Sequence, residues 1–311
     1  MNPNDPYSDD EIDLKELISV LWRGKILIIL ITSVFALCSI LYALSLTNYY
    51  KSEAVLIIQR TSQEPASLAG LGGLASMTGI RLPTSGEDKS MLVLETLKSR
   101  AFLKHLLAFE NVLPSIMAVK SYDHQSKEIS FDPEVYDADS GTWIREPTKN
   151  QQSKPSYLEV YETYLGQVLI QQDANPDLIS ISVEHISPIF AKEFLDLIIN
   201  EVNELLRSKD LQESSDAIAF LTSEIPKASL ITMQEATNLL LQSKLETQMM
   251  AKISTDYILK IIEPPFVPEK KSKPQRALIS ILGTMVGGVL ALLWILIRHY
   301  ILDGIKPDLG S

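Results

Sequence analysis

Four histidines, His105, His124, His185 and His299, open the search for chemistry. No two of them stand at metal-ligand spacing, and no His-Glu-x-x-His occurs. A glycosidase needs two carboxylates facing a cleft. Asp132 with Glu134, or Glu159 with Glu162, are the pairs that could be nominated, and solvated surface is the simpler reading of both. Asp137, Asp139 and Gly141 have the spacing of half a calcium loop, but the twelfth position is Thr148 where a closing glutamate belongs. The run Asp-Ala-Asp-Ser-Gly therefore reads as a turn between two β-prone pieces. Residues 66–88 are rich in Gly, Ser and Ala, lack a Gly-Lys-Ser/Thr ending and read as a mobile loop rather than a phosphate loop. The single cysteine, Cys38, sits inside an apolar run, so neither an internal disulfide nor a thiolate metal site is expected. No catalytic, cofactor-binding or metal-ligating residue is assigned, and the chain reads as non-enzymatic.

Two other patterns have a physical mechanism. Gly283, Gly287 and Gly288 form a Gly-x-x-x-Gly continued by Ala291, a spacing that lets helix backbones approach closely. It serves packing against another span, a neighbouring subunit or another membrane protein, or else is ordinary glycine tolerance in a membrane helix. Pro264, Pro265, Pro268 and Pro274, with Lys270, Lys271, Lys273 and Arg276, precede the same apolar run. Prolines fix φ and disfavour helix before them, so this segment is expected to be an extended, semi-rigid, membrane-proximal spacer. The basic residues are expected among lipid head groups.

These patterns belong to a chain with two apolar runs. Residues 26–46 and 277–297 are each 21 residues without a charge. At about 1.5 Å per residue, each spans a hydrocarbon core of roughly 30 Å. The first is too long and too far from the N-terminus for a signal peptide. Lys15, Arg23 and Lys25 before it favour a cytoplasmic N-terminus, and two spans return the C-terminus to that side. The basic cluster before the second span argues the other way, but it lies in a long loop, and long loops cross regardless of charge. Residues 47–276 are then external, with 23 basic and 31 acidic residues in a chain of net charge −11. That balance argues against nucleic acid and against nonspecific attraction to an anionic polymer.

Residues 1–25 form a cytoplasmic tail. Ser8 and Glu11 have capping-box spacing, and Leu14, Leu17, Ile18 and Leu21 have helical spacing, giving either a short amphipathic interfacial helix or an extension of the first span. Residues 47–186 form a base with strands at 52–59, about 134–146 and 178–185, and a helix over 89–109. Ser187-Pro188 starts a long helix running to Ile225, and a second helical pattern follows from Leu230. Together, residues 187–254 make an antiparallel hairpin with its tip near "EIPKAS". A returning strand occupies 255–263, the spacer 264–276 and the second tail 298–311. The expected fold is α+β: two transmembrane helices flank an α/β base with a protruding helical hairpin that points away from the membrane.

The tail "DEIDLKELISVLWRGK", the stretch "DPEVYDADSGTWIR", the helix start "SVEHISPIFAKEFLDLIINEVNE" and the proline segment together resemble the Wzz family. These are chain-length determinants, or polysaccharide co-polymerases, of bacterial surface glycans. The resemblance runs from Asp10 to Arg298. Its residues are Pro264, Pro265, Pro268, Pro274 and Arg276, a middle block of Tyr136, Trp143 and Arg145, and Ser187, Pro188, Ala191 and Asn203 at the long helix. The resemblance implies an inner-membrane protein with a periplasmic α/β base. It also implies a ring-like homo-oligomer that acts with a membrane polymerase on a lipid-linked glycan, without cofactor or chemistry of its own. The hairpin is short beside the longest arms of that family, and the Gly-rich loop is pronounced.

Three functions follow as expectations. The first is control of the chain length of an O-antigen-like lipopolysaccharide glycan. The second is an adaptor for capsule or exopolysaccharide export with a separate kinase or exporter. About 14 residues after the second span offer little for kinase docking. The third is a membrane-anchored glycan-cleaving enzyme.

Overall fold

The computed structural model describes residues 20–59, 87–147, 152–172, 175, 177–224, 231–254 and 256–299. The amphipathic pattern of the N-terminal tail, residues 66–86 of the Gly-rich stretch, the hairpin tip after Glu224 and the C-terminal tail after His299 lie outside them. The protein is a mixed helix-and-sheet chain that forms two compact units, Met1–Asn48 with Lys273–Ser311, and Tyr49–Ser272.

The first unit pairs α1 (Lys25–Ser45) with α8 (Arg276–Ile297). Both helices are long and apolar enough to cross a membrane.

The second unit contains the remaining elements. In chain order they are β1 (Tyr50–Ile58), α2 (Glu87–Leu97), α3 (Arg100–Leu106), α4 (Val112–Met117), β2 (Val119–Tyr122), β3 (Ile129–Phe131), β4 (Tyr136–Asp137), β5 (Thr142–Trp143), α5 (Tyr157–Gln167), β6 (Val168–Gln172), β7 (Leu178–His185), α6 (Pro188–Glu224), α7 (Ile231–Ile253) and β8 (Leu259–Glu263). Among the described residues the main sheet runs β6-β7-β1-β8. Each neighbouring pair is antiparallel.

Alternation explains the sheet. In β1, Ala54, Leu56 and Ile58 point into the core, and the register puts Ala54 opposite Ile181 and Leu56 opposite Ile179 of β7. The N-terminal half of α6 covers this face with Phe194, Leu195, Ile198 and Val202. α6 starts where local chemistry dictates. Ser187 Oγ accepts from the Phe190 N–H at 3.2 Å, and Pro188 occupies the first turn, where its missing donor costs nothing. The Ser187 N–H donates to His185 Nδ1 at 3.0 Å, so His185 Nε2 carries the proton and donates to Ser115 O at 2.8 Å. Burial pushes the His185 pKa down to about 4, so the imidazole is neutral.

Four expectations change. The helix expected over 89–109 is two helices, because Ser99 turns extended and caps α3 by accepting from the Phe102 N–H at 3.0 Å. The Tyr136–Trp143 hairpin forms its own small sheet, and β6 takes the place beside β7. The helix α5 was not anticipated, although Ser156 and Glu159 have capping spacing, and Val160 and Tyr164 share one buried face. The proline segment also does not hang free. The Ser52 hydroxyl donates to Phe266 O at 2.7 Å and the Ser272 N–H to Tyr49 O at 2.8 Å, while Pro265 and Pro268 are buried. Regular pairing ends at Glu263 because Pro264 and Pro265 have no N–H to donate, yet the chain stays on the β1 edge as a strap.

Candidate functional site

The glycines of α8 do not share one environment. A methyl added at Gly283 would overlap Ser39 Cβ, and one added at Gly287 would overlap Phe35 Cβ, both on α1. Ala291 is also fully buried. A methyl added at Gly288 would meet only an ordinary contact, Thr32 Oγ1 at 3.9 Å. Gly283 and Gly287 are thus used within the chain, and Gly288 is not. Gly24 completes the seam against Ile295. Arg276 was expected among lipid head groups. Its guanidinium donates to Asn48 Oδ1 at 3.0 Å and to Leu46 O at 3.3 Å, tying the start of α8 to the chain just past the end of α1.

In the second unit a polar cluster joins the hairpin arm to the sheet. Asn203, 8% exposed on α6, accepts at Oδ1 from the Ile258 N–H (3.1 Å) and the Leu259 N–H (2.8 Å). It donates through Nδ2 to Leu259 O at 3.0 Å. One amide therefore mimics a strand neighbour for the outer edge of β8. One turn on, Arg207 donates to Ser254 O at 2.8 Å, and Tyr257 Oη donates to Asp210 Oδ2 at 2.6 Å. Lys89 Nζ sits 3.7 Å from the same carboxylate; burial pushes its pKa down, opposed by Asp210. Beyond this root the arm presents apolar residues outward. Leu245, Met249 and Ile253, at i, i+4 and i+8 of α7, are 42%, 61% and 72% exposed.

Arg145 has a holding role. It forms a two-pronged ion pair with Glu159 and donates to Gln152 O and Ser153 O, fastening the segment after β5 to α5. The Arg145 hydrogen bonds hold the Glu159 carboxyl below its usual range, opposite to the tuning of a general acid. Asp132 accepts from the Glu134 N–H at 3.2 Å and from Lys120 at 3.5 Å. Asp137 accepts from the Asp139 N–H and the Ser140 hydroxyl, which pull its pKa down and make the stretch a hairpin turn, with Gly141 at φ 67°. His105 pairs with Glu201, and His124 with Tyr50. Among the described residues no group of three His, Cys, Asp or Glu could hold a metal.

Sequence reasoning named Asn203 without its task and missed Tyr257, Asp210 and Arg207 altogether. Their partners lie some 50 residues away along the chain, and no local spacing signals such a contact.

Residues 10–108 match the Wzz family, described as chain length determinant protein. The match supports the Wzz assignment read from the order of motifs. No curated protein matches the chain. Among solved structures, a full-length bacterial polysaccharide co-polymerase is similar at 15% identity, with 95% of this chain and 100% of that chain covered and a TM-score of 0.41. A fragment of WzzB, a polysaccharide co-polymerase from Salmonella Typhimurium, is similar at 14% identity, with 73% and 100% covered and a TM-score of 0.33.

Proposed function

We propose that the protein is an oligomeric inner-membrane scaffold that sets the chain length of a surface polysaccharide. In this reading it acts with a membrane polymerase on a lipid-linked, O-antigen-like glycan. The Wzz match over residues 10–108 carries the reading. Both termini are cytoplasmic by the charge asymmetry around the first span, and the Tyr49–Ser272 unit is periplasmic.

The geometry supports a scaffold. The outward stripe of Leu245, Met249 and Ile253 is apolar surface that a second copy would cover in a ring-like homo-oligomer. The Asn203 clamp fixes the arm to the sheet, and the strap fixes the proline segment to β1. Rigid units keep a common register in a ring, and loosely hinged units lose it.

Deletion is expected to broaden the glycan ladder on a gel without abolishing polymer, and the detergent-solubilised protein is expected to have the mass of an oligomer. Complete loss of polymer in a clean deletion overturns the regulatory reading. A strict monomer at all concentrations overturns the scaffold.

A further inference from the structure

The two hairpins β2–β3 and β4–β5 stand apart from the main sheet, and their aromatic rings are spent outside the core. Phe131, Tyr136 and Trp143 are missing from the buried cluster and pack on one another instead. The Phe131 and Tyr136 rings meet edge-on at 5.4 Å between centroids, and Tyr136 and Trp143 at 5.0 Å. Beside them lies an open hollow of about 380 Å³, lined by Ile129, Ser130, Phe131, Tyr136, Asp139 and Ile144, with Asp137 at its edge. Asp137 is committed to its turn. Among the described residues the Ser130 and Tyr136 hydroxyls and the Asp139 carboxylate have no hydrogen-bond partner.

The lining selects an occupant. The volume is that of a small-ligand site, and such sites combine apolar walls with a few convergent polar groups. Aromatic faces carry negative charge and attract the weakly positive C–H face of a pyranose. The free hydroxyls and the carboxylate suit the hydroxyls of the same ring, which both donate and accept. Among the described residues no Lys or Arg lines the hollow, and Asp137, held ionised, stands beside Asp139, so a uronic acid or phosphate meets repulsion without a counter-charge from them.

We propose that this hollow is a subsite for one neutral or N-acetylated pyranose unit of a glycan, deepening the length-control reading on which it rests. A growing polymer held there, on the base, is counted from a fixed point beside Tyr136.

The test uses the full-length protein in detergent. Saturation-transfer NMR is run with chitotriose, maltotriose, mannotriose and trigalacturonate. Transfer to at least one neutral trisaccharide and none to trigalacturonate is expected. Tyr136→Phe and Asp139→Asn should each weaken binding about tenfold, the worth of one hydrogen bond to a polar or charged group. Both variants keep the ring packing and the turn, so their circular dichroism should match the parent. No transfer from any neutral sugar at about 10 mM, well above a millimolar Kd, overturns the site. So does equal binding of trigalacturonate, or parental affinity in both variants. Binding to purified protein is independent of the glycan ladder: a bound sugar with an unaltered ladder in the deletion strain supports the subsite and overturns length control. An altered ladder with no bound sugar does the reverse.

Discussion

Asn203→Ala isolates the joint between arm and base. The substitution removes one small amide and leaves three backbone groups, the Ile258 and Leu259 N–H and the Leu259 C=O, without their partner. Each unsatisfied buried group costs about 1–3 kcal/mol. Asn203 is 8% exposed, so water reaches part of the vacated space and the lower half of the range applies. A loss of about 3 kcal/mol is expected. For a unit of this size that lowers Tm by roughly 6–12 °C. Thermal unfolding by circular dichroism in detergent reads the total, and hydrogen exchange reads the place. The amides of residues 256–263 should exchange faster while β7 is unaffected at short times. Asn203→Asp keeps the acceptor for both N–H groups but sets a carboxylate against Leu259 O, so its loss should fall between parent and alanine. A Tm within a degree of the parent for Asn203→Ala, with unchanged exchange in 256–263, refutes the clamp. If stability falls as expected and the glycan ladder stays sharp, the clamp is real but register between rigid units does not set length.

Other perturbations have equally definite outcomes. Gly287→Leu drives a side chain into Phe35 and should cost about 1–3 kcal/mol of helix-pair stability, whereas at Gly288 the first added carbon meets only an ordinary contact with Thr32, so Gly288→Leu should cost clearly less in the same detergent melt. Equal effects of the two would remove the assigned seam. Pro265 and Pro268 are buried in the strap, so replacing both with Ser should leave β1 paired but speed exchange in 264–272 and broaden the ladder; a parental ladder at parental expression limits them to ending β8. His185 has a folded pKa lowered to about 4 from 6.5, so its neutral form gives full stability above about pH 6.5. Stability then falls as pH drops through the window from 6.5 to 4, by about 3 kcal/mol in all. His185→Gln should flatten that acid limb in urea midpoints measured between pH 7 and 4.5, and an unchanged slope assigns the acid loss to other groups.

The parts that were legible in the sequence are those whose cause is local. Ser187-Pro188 marks the start of α6 because cap and first-turn proline act within one turn, and the alternation in 178–185 marks β7 because burial repeats every second residue. α5 was legible and overlooked: its Ser156 cap and Glu159 follow the same rule, in a stretch where tyrosines blur the contrast between apolar and polar faces. The strap, the arm root and the division of labour among the glycines were not legible. Each is decided by a partner that only the assembled fold supplies. Four prolines before an apolar run imply stiffness in any chain, but whether the stiff segment is free or pinned depends on Ser52, more than 200 residues earlier. Gly287 and Gly288 are neighbours with the same propensities, and a rotation of about 100° around the helix separates a clash with Phe35 from an ordinary contact with Thr32. The candidate site follows the same logic. The root of the arm is held by contacts invisible to spacing, and the residues that spacing did offer as chemistry, Asp132, Asp137 and Glu159, are committed to turns and ion pairs that hold the base together. With Asp132, Asp137 and Glu159 spent on structure, the conspicuous surface left over is the apolar stripe of α7 and the aromatic hollow, the two features on which the proposed scaffold and its sugar subsite rest.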